Sequence, residues 1–141
     1  MAHELVHYQQ HFERDPETLL ERSIAEGGAD FLSEIIAGAY INELQHRYGD
    51  QHEQELWNEF KDAMYGKDLS GWLYNGGALA ATGKPIERPA DLGYYVGYKI
   101  CQAYYVKAPD KKKAIKEMLV IQDFNRLFED SGYGRSLTAH R

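Results

Sequence analysis

His3-Glu4-Leu5-Val6-His7 reads H-E-x-x-H. On a helix, residues four apart lie one above the other, so His3 and His7 project from one face. Two imidazoles held this way can grip one metal ion, and Glu4 beside them can act as general base toward a metal-activated water. The spacing predicts a first helix from about Ala2 to Arg14. Further along, Ser23-Ile24-Ala25-Glu26-Gly27-Gly28-Ala29-Asp30 offers a third candidate ligand, Glu26, and a second carboxylate one turn on, Asp30. Eighteen residues separate His7 from Glu26, enough for a turn and a returning second helix. His3, His7 and Glu26 form a His₂Glu set with one position left for water, the ligand count of catalytic zinc, and imply one Zn2+ per chain. Asp30, on the face of Glu26, is placed to accept a hydrogen bond from the free ring nitrogen of a liganding histidine and fix its tautomer. The plainer alternative is an acidic helix with incidental histidines. His11, His46, His52 and His140 are read that way.

The bulk numbers narrow the class. A chain of 141 residues is expected to form a single domain, 1–141, with a real core. The net charge of −6 argues against nucleic acid as a partner, because phosphate binding wants a basic surface. Lys111-Lys112-Lys113 is short and follows Asp110, as at a solvated helix start. A single cysteine, Cys101, excludes an intrachain disulfide and leaves the redox compartment undecided. No run is apolar enough to span a membrane, and no signal peptide is visible. Localisation is therefore left open.

Periodicity is helical nearly throughout, with no convincing alternating strand, so the expected fold is mainly α. Asp15-Pro16 breaks the chain and restarts it, with Asp15 as the expected N-cap. A second helical region is expected from Pro16 to about Tyr48. Gly27-Gly28 in its middle costs helix stability, which a close approach of two backbones around a metal explains. Further helices are expected at Gln51 to Tyr65, from Asp68 through Trp72 to Tyr74, at Ala90 to Lys107, at Lys111 to Ile121, and after Asp123 up to Gly132. Asn75 to Pro89 reads as a long irregular stretch. The tail 133–141 reads as flexible.

These residues resemble the glutamate-type zincin (gluzincin) metallopeptidases. In their aminopeptidase branch, H-E-x-x-H is followed by a Glu within a stretch like N-E-G-x-A, matched here by Ala25-Glu26-Gly27-Gly28-Ala29. Asp30 fits the thermolysin-like E-x-x-x-D pattern. A closer similarity is to bacterial predicted Zn-dependent proteases related to gliding-motility lipoproteins. It is carried by His3 to Gln10, Ile24 to Glu34, Trp72-Leu73-Tyr74-Asn75-Gly76 and Gly93-Tyr94-Tyr95-Val96-Gly97-Tyr98-Lys99-Ile100. The resemblance implies a zincin-like helical core with little or no β-sheet. It also implies relatives that are often exported or lipid-anchored. Zincins usually place a small sheet, with a substrate-binding edge strand, before the H-E-x-x-H helix. Here two residues precede His3, so that N-terminal layer is expected to be missing.

Zincins often take the group that stabilises the oxyanion from a tyrosine outside the metal motif. Tyr94 is the first candidate and Tyr98 the second, one turn apart on the Ala90–Lys107 helix. The plainer alternative is an aromatic core stripe with Cys101 and Tyr105. Trp57, Trp72 and Tyr74 are read as core or pocket wall. The expected function is zinc-dependent hydrolysis of a peptide or related amide. The alternatives are a zinc-binding helical module without peptidase activity, and a helical interaction protein with vestigial histidines. Leu5, Val6, Tyr8 and Phe12 spread around the first helix and cannot all face one core. Some apolar surface is therefore expected to stay open, to be covered by a homo-oligomer or by a missing N-terminal segment.

Overall fold

In the computed structural model, residues 2–135 and 137 are described, and the described residues hold eight helices and no strand. They are α1 (Ala2–Gln9), α2 (Leu19–Ala37), α3 (Glu43–Gln51), α4 (Glu53–Ala63), α5 (Gly76–Ala81), α6 (Leu92–Lys107), α7 (Lys111–Leu119) and α8 (Phe124–Ser131). No helix among them is long and apolar enough to cross a membrane. Of the tail, Ser136 and 138–141, with His140, lie outside the described residues.

α2 is the central element. Its residues from Leu19 to Ser33 are buried on nearly every side, Arg22 and Glu26 excepted, which marks a helix surrounded by others rather than lying on a surface. α6 packs along it with the most extensive interface in the fold. Glycines make that closeness possible. A Cβ on Gly97 would sit 1.7 Å from the carbonyl oxygen of Ser23, and one on Gly27 would sit 2.2 Å from the amide nitrogen of Tyr98. The Gly27-Gly28 pair thus answers to α6, not to the helix carrying the histidines. Around this pair, Leu56, Phe60, Trp72, Leu73, Tyr95, Ile100, Met118 and Phe128 close the core.

Several helix ends fall elsewhere than the sequence predicts, for local reasons. α1 stops at Gln9, not Arg14, because the next amides are drawn away: His11 donates to the Leu119 carbonyl and Glu13 to that of Ile121. Asp15 does not cap α2. Thr18 does, in a capping box where its Oγ1 accepts from the Glu21 amide at 3.1 Å and Glu21 Oε1 accepts from the Thr18 amide at 3.1 Å. The buried Glu21 carboxylate also takes Arg14, which ties the connection to the helix. The region expected to run to Tyr48 is broken at Gly38, a left-handed C-cap with φ 67°, and resumes as α3. Asp68 holds a turn through Ser70 rather than a helix. The stretch from Asn75 contains the short α5. Asp123 and Gly132 bound α8 as predicted.

Gly97→Ala should therefore lower stability by on the order of 3 kcal/mol, since backbone rather than a flexible side chain must yield. Gly77→Ala, in α5 with nothing near the added methyl, should change it by no more than about 1 kcal/mol and upward. Urea denaturation of the two variants checks the contrast.

Candidate metal centre

α1 lies against α2 and is anchored by one buried apolar side chain, Val6. Leu5 and Tyr8 remain open to solvent, 59% and 82% exposed. The paired side chains show the two helices running antiparallel: His3 Nδ1 is 2.6 Å from Asp30 Oδ1, and His7 Nε2 is 2.6 Å from Glu26 Oε1. His3 Nε2 lies 3.4 Å from the same Glu26 oxygen and 2.7 Å from His7 Nε2. Ligand atoms of His3, His7 and Glu26 all lie within 4.8 Å of one another.

The outward ring nitrogens are both occupied. Asp30, buried at 2% exposure, takes Nδ1 of His3 and is itself held by Asn42 Nδ2 at 2.5 Å. Gln10 Oε1 takes Nδ1 of His7 at 2.6 Å, while Gln10 Nε2 donates to the Ala25 carbonyl at 3.2 Å, which fixes the amide's orientation. With Nδ1–H donating on each ring, both Nε2 atoms turn their lone pairs to one point. Two lone pairs and a carboxylate converging there repel one another unless a proton or a cation stands between them. The donor set fits a zinc ion: two imidazole nitrogens and one carboxylate oxygen.

The charge balance follows this geometry. Burial raises Glu26, but hydrogen bonds from His3, His7, Tyr94 and Tyr74 outweigh it and hold the group far below the ordinary carboxylate range. Burial lowers His3, yet Asp30 and Glu26 together carry it up to about 9. The hydrogen bond to Glu26 raises His7 against its own burial. In the metal-free form Asp30 and Glu26 thus favour positive charge on the imidazoles, where the donor set offers a place to a cation.

Each candidate site residue has a definite place. Glu4 is exposed on α1, next to His3, with no hydrogen bond or ion pair among the described residues. The Tyr94 hydroxyl, from α6, donates to Glu26 Oε2 at 2.8 Å, and the His3 and Tyr94 rings are 5.9 Å apart. The Tyr98 hydroxyl points elsewhere and donates to Glu34. A second phenol meets Tyr94 on Glu26 Oε2: Tyr74, at 2.9 Å. Sequence reasoning placed Tyr74 in the core or a pocket wall, and no spacing connects it to residue 26. Gln10 and Asn42 were also missed. Gln10 had a signal, three residues after His7 on one helical face. Asn42 had none, because it reaches Asp30 only after the chain reverses at Gly38.

A helical protein whose H-E-x-x-H helix is closed by a carboxylate from a neighbouring helix belongs to the class of candidate metalloproteins. More specifically, the chain belongs to the family described as Predicted Zn-dependent protease (DUF2268), whose profile matches residues 1–123, from α1 through α7. No curated protein and no solved structure matches the chain.

The raised histidines set a pH signature. In metal-free protein the folded-state pKa of His3 lies above 6.5, so its stabilising contribution is whole below that pH and is lost as pH rises through about 9. Zinc requires the deprotonated rings, so its contribution grows over the same interval. The gap in melting temperature between zinc-loaded and chelated protein should widen from about pH 6 to about pH 9. Scanning calorimetry at several pH values measures it; a gap that is constant or narrows would remove His3 from the ligand set.

Proposed function

We propose that this chain is a gluzincin-like zinc metallopeptidase in which His3, His7 and Glu26 hold one Zn2+ ion. The observation that carries this is the convergence of two lone-pair-bearing Nε2 atoms and one carboxylate, each fixed from behind. Zinc in such a set supplies Lewis acidity, lowering the pKa of a water to roughly 7 and polarising a carbonyl. Glu4 is the general base. Its carboxylate is free, lies beside His3, and can take a proton from the attacking water and pass it to the leaving amine. Asp30 and Gln10 hold the imidazoles in the tautomer that leaves Nε2 open.

Tyr94 is the group assigned to the developing oxyanion. Burial and the Glu26 carboxylate hold its pKa far above the usual value, so it is an O–H donor throughout the neutral range. Tyr74 is held the same way, pushed up to about 12. Either phenol can turn from Glu26 to a substrate oxygen without losing its proton. Tyr98, engaged by Glu34, stands outside that reach and serves the α2–α6 interface instead.

One observation favours the second reading, a zinc-binding module without peptidase activity: the described residues include no edge strand to hold an extended peptide. Elemental analysis should find about one zinc per chain, and Glu26→Ala should lose most of it. Glu4→Gln should keep the zinc while hydrolysis of an unselective peptide substrate such as casein falls by about 100-fold or more. Full zinc with no hydrolysis by the unaltered protein would establish the second reading. Unchanged zinc content in Glu26→Ala would refute the ligand set.

A further inference from the structure

Arg22 sits on α2 one turn before Glu26 and on the same face, a spacing that puts the two Cβ atoms about 6 Å apart. Its Nε is buried and has no hydrogen-bond partner. Among the described residues no carboxylate pairs with it, whereas Arg14, Arg47, Arg88 and Arg126 each have one. What Arg22 does engage is the Tyr74 hydroxyl, where its charge and a hydrogen bond work against the burial that raises that phenol. The same hydroxyl donates to Glu26. Arg22 is thus one residue removed from the candidate metal centre, on the side away from Asp30.

The course of α1 stops short of this position. His3 pairs with Asp30 and His7 with Glu26, so a further turn of α1 would come level with Arg22. α1 ends at Gln9, and the following residues bond to the Leu119 and Ile121 carbonyls instead. No α1 side chain hydrogen-bonds to Arg22. A guanidinium with a buried, unpaired N–H is costly, and its planar fork matches a carboxylate better than any other common group. In a chain of net charge −6, leaving one partly buried cation without a carboxylate beside the proposed metal ligands calls for an anion from outside.

We propose that Arg22 binds a substrate carboxylate, so that the peptides this site prefers carry one within a residue or two of the bond presented to the centre. The carboxylate is either the C-terminal one or an acidic side chain. The proposal rests on the zinc-peptidase reading of the same site, and its test keeps the two separate.

Three probes suffice: acetyl-trialanine with a free C-terminus, its C-terminal amide, and that amide with aspartate as the third residue. Each is titrated calorimetrically into Glu4→Gln protein, which prevents turnover, in both zinc-loaded and zinc-free forms. At least one carboxylate peptide should bind about tenfold or more tightly than the neutral amide, and which one identifies the carboxylate's source. Adding Arg22→Gln should abolish the preference and Arg22→Lys should keep part of it, with zinc content and affinity for the neutral amide unchanged. Equal binding of all three probes, or a preference that survives Arg22→Gln, would overturn the proposal. So would loss of zinc in Arg22→Gln, which would make Arg22 a support of the centre itself. Protein that takes up no zinc refutes the metal reading alone, because the comparison on zinc-free protein still decides Arg22.

Discussion

Where Gly97 meets the Ser23 carbonyl, α6 and α2 lie closer than any side chain between them would permit. That contact fixes the geometry on which the candidate centre depends. With α6 pressed against α2 at Ser23 and Gly27, Tyr94 reaches Glu26, and the adjoining stripe of α2, Glu26 and Asp30, meets α1. The outcome is one helix whose buried apolar surface anchors the fold while its remaining stripe, Arg22, Glu26 and Asp30, recurs every four residues and carries charge. A carboxylate embedded in a rigid, surrounded helix is a better ligand than one on a loop, because packing rather than the metal holds its position. α1 contributes far less. It has eight residues and a single buried apolar side chain, so the centre consists of a fixed half, Glu26 and Asp30, and a half held chiefly through its own polar contacts.

Those polar contacts are reciprocal. Asp30 receives His3 and Asn42, Glu26 receives His3, His7, Tyr74 and Tyr94, and Gln10 bridges His7 to the Ala25 carbonyl. Each acceptor that lowers the energy of a protonated histidine also orients the ring whose lone pair a metal would need. The arrangement thus favours positive charge on the rings, and a metal ion bound there would compete with protons as pH changes. It also adds to the burial that raises the pKa of both phenols: a hydroxyl donating to a buried carboxylate cannot ionise without placing a second negative charge beside the first.

The sequence disclosed whatever repeats on one helix and little of what depends on two. His3 and His7, Glu26 and Asp30, and the Asp123 and Gly132 boundaries follow from i, i+4 spacing and capping chemistry, which are local. The helical class followed from the same periodicity. Gly27-Gly28 was legible as a close approach but not as an approach to α6, since a glycine pair does not name its neighbour. The end of α1 at Gln9 was not legible because it is set by carbonyls about 110 residues away along the chain. Tyr74 was hidden for the same reason, being brought to Glu26 by a loop.

That loop is held under strain. Tyr74 and Asp91 both adopt left-handed backbone conformations, φ 57° and 61°, which cost a residue with a Cβ roughly 1–2 kcal/mol apiece. They are locked to each other: Asp91 Oδ1 accepts from the Tyr74 amide at 2.6 Å, and Asn75 Oδ1 accepts from the Asp91 amide at 2.9 Å. The Gly93 amide adds a bond to the Trp72 carbonyl at 2.9 Å, so the whole segment 72–75 is fastened to the start of α6. Each strained backbone thus donates its amide to a side chain of the other segment. The consequence falls on the phenol. Tyr74 is carried to Glu26 by backbone geometry while half of its surface stays exposed, so it can exchange Glu26 for another acceptor without unpacking the core. Tyr94, half-buried on α6, reaches the same Glu26 Oε2 from a helix, so the two hydroxyls that share this oxygen approach it from a rigid element and from a loop.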